Sequence, residues 1–164
     1  MLENIIEKII AEPGRHARWL NTLSMMENTG ARKISASEHK TKVDLMVLKH
    51  AAEEARHAFY LKKQIGKIDE HACPDYSYEY LLAPLESALY LQRLDVEVCR
   101  YLKKELSLGS YELKYAAYLL VTYAIEVRAD ALYPVYQDAL SASGSKVNVK
   151  SIILEEEGHL EEMI

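Results

Sequence analysis

Cysteine is scarce in this chain. The two present, Cys73 and Cys99, form no Cys-x-x-Cys pair, so neither a thiolate zinc site nor a disulfide scaffold is indicated, and two free thiols in a reducing compartment are expected. Glycine and proline are few, 6 and 4 of 164 residues, and scattered. Without a low-complexity tract, and with Leu, Ala, Glu and Lys dominating, the composition favours helix over sheet. Positive charge is in deficit: 20 Lys and Arg against 25 Asp and Glu give a formal net charge of -5. No compact basic stripe appears, which argues against a nucleic-acid partner. No stretch approaches the ~18 uncharged apolar residues of a membrane span. Glu3 and Glu7 interrupt the apolar pattern of the N-terminus, which is unlike a signal peptide. One cytoplasmic domain covering 1–164 is therefore expected.

What the chain does contain is helical periodicity. Residues 2–11 suit a short amphipathic helix (α1) with Leu2, Ile5, Ile6, Ile9 and Ile10 on one side. Pro13 suits the first turn of α2, which should end between 29 and 34. Ser35-Ala36-Ser37 suits a cap region before α3, which should end near 65–67. Residues 69–75 suit a loop, and α4 should run from 78 or 84 to 106. A turn at 108–110 leads into α5, about 110–141, which Pro134 should kink. Ser141–Ser145 suits a linker and α6 should begin near 147. Nothing suits a strand.

The stripes at spacings of three, four and seven identify the inner faces. In α2 the stripe through Glu27 holds Leu20, Leu23, Gly30, Ala31 and Ile34. Around Glu54 in α3 are Val43, Val47, His50, Ala51, His57, Ala58, Leu61 and Ile65. Glu126 in α5 is flanked by Leu119, Thr122, Tyr123, Ala129, Asp130 and Tyr133. Glu156 in α6 sits among Val149, Ile152, Ile153, His159, Leu160 and Met163. Four helices thus each place a Glu where burial is expected. An unpaired buried carboxylate costs several kcal/mol, against a total stability of only ~5–15 kcal/mol. No Lys or Arg shares these stripes. Four carboxylates and two neutral imidazoles sum to a charge of -4, which two divalent ions would cancel.

The pattern is also repeated. A lone Glu precedes a Glu-x-x-His twice: Glu27 before Glu54 and His57, Glu126 before Glu156 and His159. Three residues are nearly one helical turn, so each Glu and His share a face. For antiparallel helices the turn should lie midway between the matched ligands. In the second half that midpoint falls near residue 142, inside the Ser-Gly linker; in the first it falls near 41, beyond Ser35–Ser37.

One Glu, then Glu-x-x-His, twice over on four helices, resembles the ferritin-like di-iron carboxylate superfamily. The resemblance implies an all-α fold: a four-helix bundle of α2, α3, α5 and α6, with an extra long helix α4 between the halves and the short N-terminal helix α1. It implies two iron ions as cofactor, with manganese or a mixed manganese–iron pair as variants. Glu27 and Glu126 would be terminal ligands, Glu54 and Glu156 would bridge, and His57 and His159 would bind one ion each. The missing Cys-x-x-Cys sets the chain apart from rubrerythrins, and α4 sets it apart from storage ferritins. An inserted helix is closer to the superfamily's aldehyde-deformylating and tRNA-hydroxylating oxygenases, neither of which the sequence matches.

The implied function is an oxidoreductase that activates dioxygen or peroxide to oxidise a small or apolar organic substrate, with electrons from an external donor. The alternatives are an iron-handling ferroxidase or peroxide-detoxifying protein without organic substrate, and a non-catalytic bundle stabilised by metal. Glu53 and Glu155, each four residues before its His, are expected around the ligands or in solvent, and His50 as a hydrogen-bonded core residue. Asp130 could hold the free nitrogen of a ligand His. Tyr123 and Tyr60 are the tyrosines best placed for a redox role. Leu85, Leu89, Leu94 and Leu102 of α4 suit either an intramolecular seam or a homodimer surface.

Overall fold

The computed structural model describes residues 1–162, apart from the side chain of Leu160; Leu160's packing and Met163 therefore lie outside the described residues. Within them the chain is all-helical: α1 Leu2–Ile10, α2 Pro13–Ser37, α3 Leu45–Ile65, a 3-10 turn Tyr78–Tyr80, α4 Pro84–Leu106, α5 Ser110–Ala142 and α6 Lys150–Glu162.

Local chemistry sets the boundaries. Pro13 occupies the first turn of α2, where its missing N–H has no carbonyl to satisfy. Ser35–Ser37 do not begin α3, as the sequence suggested. Ser37 Oγ instead donates to the Ile34 carbonyl at 2.6 Å, the back-bond by which a serine tolerates a helical position. The cap of α3 is Asp44, whose carboxylate accepts from the backbone N–H groups of Met46 and Val47 at 2.8 and 3.4 Å. Residue 41 therefore falls in the α2–α3 loop, where the midpoint of the matched ligands placed it. Val43, expected on the inner stripe, is in that loop and exposed.

Helix α5 continues past Pro134 without a break in its helical assignment. Gly144 then takes a left-handed conformation, φ +67°, which only glycine adopts without strain. Gln137 fixes the connection to α6, its side-chain oxygen accepting from the Val149 N–H at 2.8 Å. Gln64 accepts likewise from Asn148 at 3.2 Å, which ties the same turn to α3.

The packing has two apolar layers. Leu20 and Leu23 of α2, Leu61 and Ile65 of α3, Tyr133 and Leu140 of α5, and Val149 and Ile152 of α6 belong to the larger one. Ile34, Val47 and Tyr118 form a smaller one. On α2, α3 and α5 the acid of the sequence repeat lies between these two layers in chain order. Helices α2 and α3 pack along each other, α5 packs on α6, and α4 lies against α2 and α5. Leu91 and Leu102 of α4 are buried and Leu89 and Leu94 half-buried, while Leu85 is exposed. No helix among the described residues is long and apolar enough to cross a membrane.

Candidate metal centre

All six residues of the repeat converge. Ligand-capable atoms of Glu54, Glu126, Glu156 and His159 lie within 4.8 Å of one another, and those of Glu27, Glu54 and His57 form a second such group. Glu54 belongs to both. Glu156 reaches both rings, its two oxygens 3.2 Å from His57 Nδ1 and 3.3 Å from His159 Nδ1. Glu126 lies 3.2 Å from His159 Nδ1. Glu54, His57, Glu126, Glu156 and His159 are buried and Glu27 is half-buried.

The outward nitrogens of the rings are held by the two neighbouring acids. His159 Nε2 meets Glu53 at 2.6 Å and His57 Nε2 meets Glu155 at 3.0 Å. Each carboxylate comes from the opposite Glu-x-x-His helix, so the repeat is reciprocal. Arg56 pairs with Glu155 on the outer side. Such a bond fixes the ring tautomer: with the proton on Nε2, the lone pair on Nδ1 points inward.

The inward atoms have nothing to bond. His57 Nδ1, His159 Nδ1, both oxygens of Glu126 and one of Glu156 are buried without a hydrogen-bond partner. An unsatisfied buried polar atom costs about 1–3 kcal/mol, more when charged. Oxygen and imidazole donors converging in this way suit divalent metal ions. In the protein alone, shared protons take over part of that charge balance. Burial first, then the adjacent Glu27, raises Glu54 well above the usual carboxylate range. Burial also pushes Glu126 up to about 8, although His159 opposes it. Burial disfavours a cation at His159, but Glu126 and Glu156 outweigh it and raise the ring to about 11.

Tyr133 is an addition to the predicted set. It is buried and donates to Glu27, and burial raises its hydroxyl well above the ordinary phenol range. It was legible on the Glu126 stripe but not distinguishable there from a packing residue. Tyr123 and Asp130, expected on the inner face, are instead exposed. At about 100° per residue, both lie on the same side of Glu126, whereas Thr122, Ala129 and Tyr133 lie on the other. The buried arc of α5 is thus turned towards that second side, and Glu126 stands near its edge. Asp130 therefore does not hold His57 or His159; Glu155 and Glu53 do. Tyr60 donates to the carbonyl and side-chain oxygen of Asn148 at 3.0 and 2.8 Å, a structural tie. His50 is fully buried, with Nδ1 at 2.8 Å from the Tyr118 hydroxyl.

Beside the cluster is a cavity of about 270 Å³ between α2, α4 and α5, with Glu27 and Glu54 in its wall. Met26, Gly30, Ile34, Leu91, Ala117, Val121 and Ile125 make its lining mainly apolar, and Tyr118 and Thr122 add hydroxyl groups. Lys33, paired with Asp95 at 3.1 Å, Lys114 and Arg128 are its charged margin. Helix α4 contributes Leu91, Asp95 and Cys99 to the wall of the cavity.

No protein-family model matches the chain, and comparisons with curated proteins and with solved structures find no match.

Proposed function

We propose that the protein is a ferritin-like di-iron carboxylate oxidoreductase that uses dioxygen or peroxide to oxidise a small apolar organic substrate. The observation that carries this reading is the convergence of unpartnered inward-facing atoms of His57, Glu126, Glu156 and His159 with Glu54 and Glu27, the two acids that line a mainly apolar cavity. Glu27, Glu54 and His57 would hold one ion, and Glu54, Glu126, Glu156 and His159 would hold the other. Iron, when bound, would supply two-electron reduction of the oxidant. The chain's own residues set the conditions. Glu53 and Glu155 orient the rings, and the apolar layers on either side exclude water. Tyr133 holds Glu27 in place. The cavity, just below the ~300 Å³ at which ligand sites commonly begin, admits only a small substrate beside Glu27 and Glu54.

The cavity favours this reading over iron handling without an organic substrate, which has no use for an apolar pocket beside the acids. The test is anaerobic loading with ferrous iron followed by oxygen-uptake measurement with a chemical reductant, with and without small apolar candidates. Uptake that increases with a candidate and yields its oxidised product supports the proposal. Iron oxidation that no candidate alters, with rapid release of ferric iron, would favour the ferroxidase alternative.

A further inference from the structure

We propose that a row of aromatic rings from the metal centre to the surface drains oxidising equivalents away from the site when no substrate is bound. This rests on the reading of the site as one that activates dioxygen or peroxide. The row starts at His159, whose ring centroid lies 5.0 Å from that of His50. Tyr118 follows at 6.4 Å from His50, then Tyr115 at 6.1 Å. Tyr111 stacks on Tyr115 at 6.4 Å with 15° between the planes, and His39 ends the row at 5.6 Å. Every step is within the range of direct ring contact, ~4.5–7 Å. Burial falls along it: His50 and Tyr118 are buried, Tyr115 is half-buried, and Tyr111 and His39 are exposed. Tyr133, although bonded to Glu27, has no ring in such contact among the described residues and leads nowhere.

The proton inventory fixes the direction. A positive charge left on buried Tyr118 would be costly, so its electron leaves together with the phenol proton, which has His50 Nδ1 as acceptor at 2.8 Å. Tyr115 and then Tyr111 refill the vacancy, each releasing its proton as it loses an electron and regaining one as it is refilled. At Tyr111 water takes the proton, so the hole settles at the surface. Hydrogen peroxide reduced at the site takes two electrons and two protons and leaves as two waters. Two molecules of an external thiol restore Tyr111 in two one-electron steps, giving up the same two electrons and two protons as they form one disulfide.

The experiment treats the iron-loaded full chain with hydrogen peroxide and a nitroso spin trap, then maps the adducts by peptide mass spectrometry. Wild type should carry the adduct on Tyr111. Tyr118→Phe and Tyr115→Phe, which keep the rings and remove the phenols, should lose it and accumulate oxidation at His57 and His159. Undiminished labelling of Tyr111 in Tyr115→Phe would overturn the proposal, even if Tyr118→Phe fails to fold. An iron-loaded wild type that traps no tyrosine radical overturns it as well. A chain that takes up no iron refutes the metal centre itself, and the iron content measured beforehand separates the two failures.

Discussion

Glutamine at position 54 should stabilise the metal-free protein and abolish its stabilisation by metal. Glu54 is buried, and burial with the neighbouring Glu27 raises its pKa well above the ordinary 4.5. The folded chain therefore keeps this proton to higher pH than the unfolded one does. A raised folded pKa gives stability that is full below 4.5 and declines as pH rises. Each pH unit by which the folded pKa exceeds the unfolded one is worth about 1.4 kcal/mol of that loss. Glutamine has the shape of the protonated acid and cannot ionise, so Glu54→Gln should regain about 1–3 kcal/mol, the cost of an uncompensated buried polar group, or roughly 2–10 °C in Tm for a chain of this size. The gain should disappear below pH 4.5. With metal the sign reverses. Ligand at a hundredfold over Kd stabilises by about 2.7 kcal/mol per site, and glutamine removes the carboxylate common to both donor groups. The assay is thermal unfolding by circular dichroism, chelated and with ferrous or manganous ion, from pH 4 to 8. A chelated Glu54→Gln less stable than wild type at pH 7, or an unchanged metal-induced rise, would refute the reasoning.

Three further outcomes follow from separate parts of the molecule. Glu53→Gln and Glu155→Gln leave the ligands in place but weaken the hold on His159 Nε2 and His57 Nε2; metal affinity by competition titration should fall about 10–100-fold, and an unchanged affinity would contradict the assigned role. Val121→Phe should fill the cavity and abolish oxidation of a substrate while metal content stays at wild-type level, as measured by product analysis beside elemental analysis. His16, buried against the Tyr136 hydroxyl at 2.7 Å, is held by burial at about 4 rather than 6.5. Its folded pKa is depressed, so stability is full above 6.5 and falls as pH drops towards 4, by at most about 3 kcal/mol; His16→Gln should flatten that window in chelated unfolding scans.

The helices and the convergence of the six Glu and His residues of the repeat were legible because both depend on period. A carboxylate on an apolar stripe is conspicuous in any chain, and reciprocal Glu-x-x-His helices place their ligands at one level. What escaped was the angle at which each stripe turns. Asp130 and Thr122 are equally spaced from Glu126 in sequence, yet one is exposed and the other buried, because the buried arc of α5 is turned to the Thr122 side of Glu126. The α2–α3 turn was misplaced because Ser37 has the same side chain whether it caps the next helix or bonds back into its own. Asp44, seven residues later, was the stronger cap. The cavity had no local signature at all. It arises where α4 lies against α2 and α5.

Metal content tests the central claim most directly. The chain, produced with iron supplied and crystallised without chelator, should show by anomalous scattering two metal ions between α2, α3, α5 and α6. Each should be within bonding distance of one imidazole Nδ1, with Glu54 and Glu156 touching both. One ion, or none, at that position would contradict the dinuclear account.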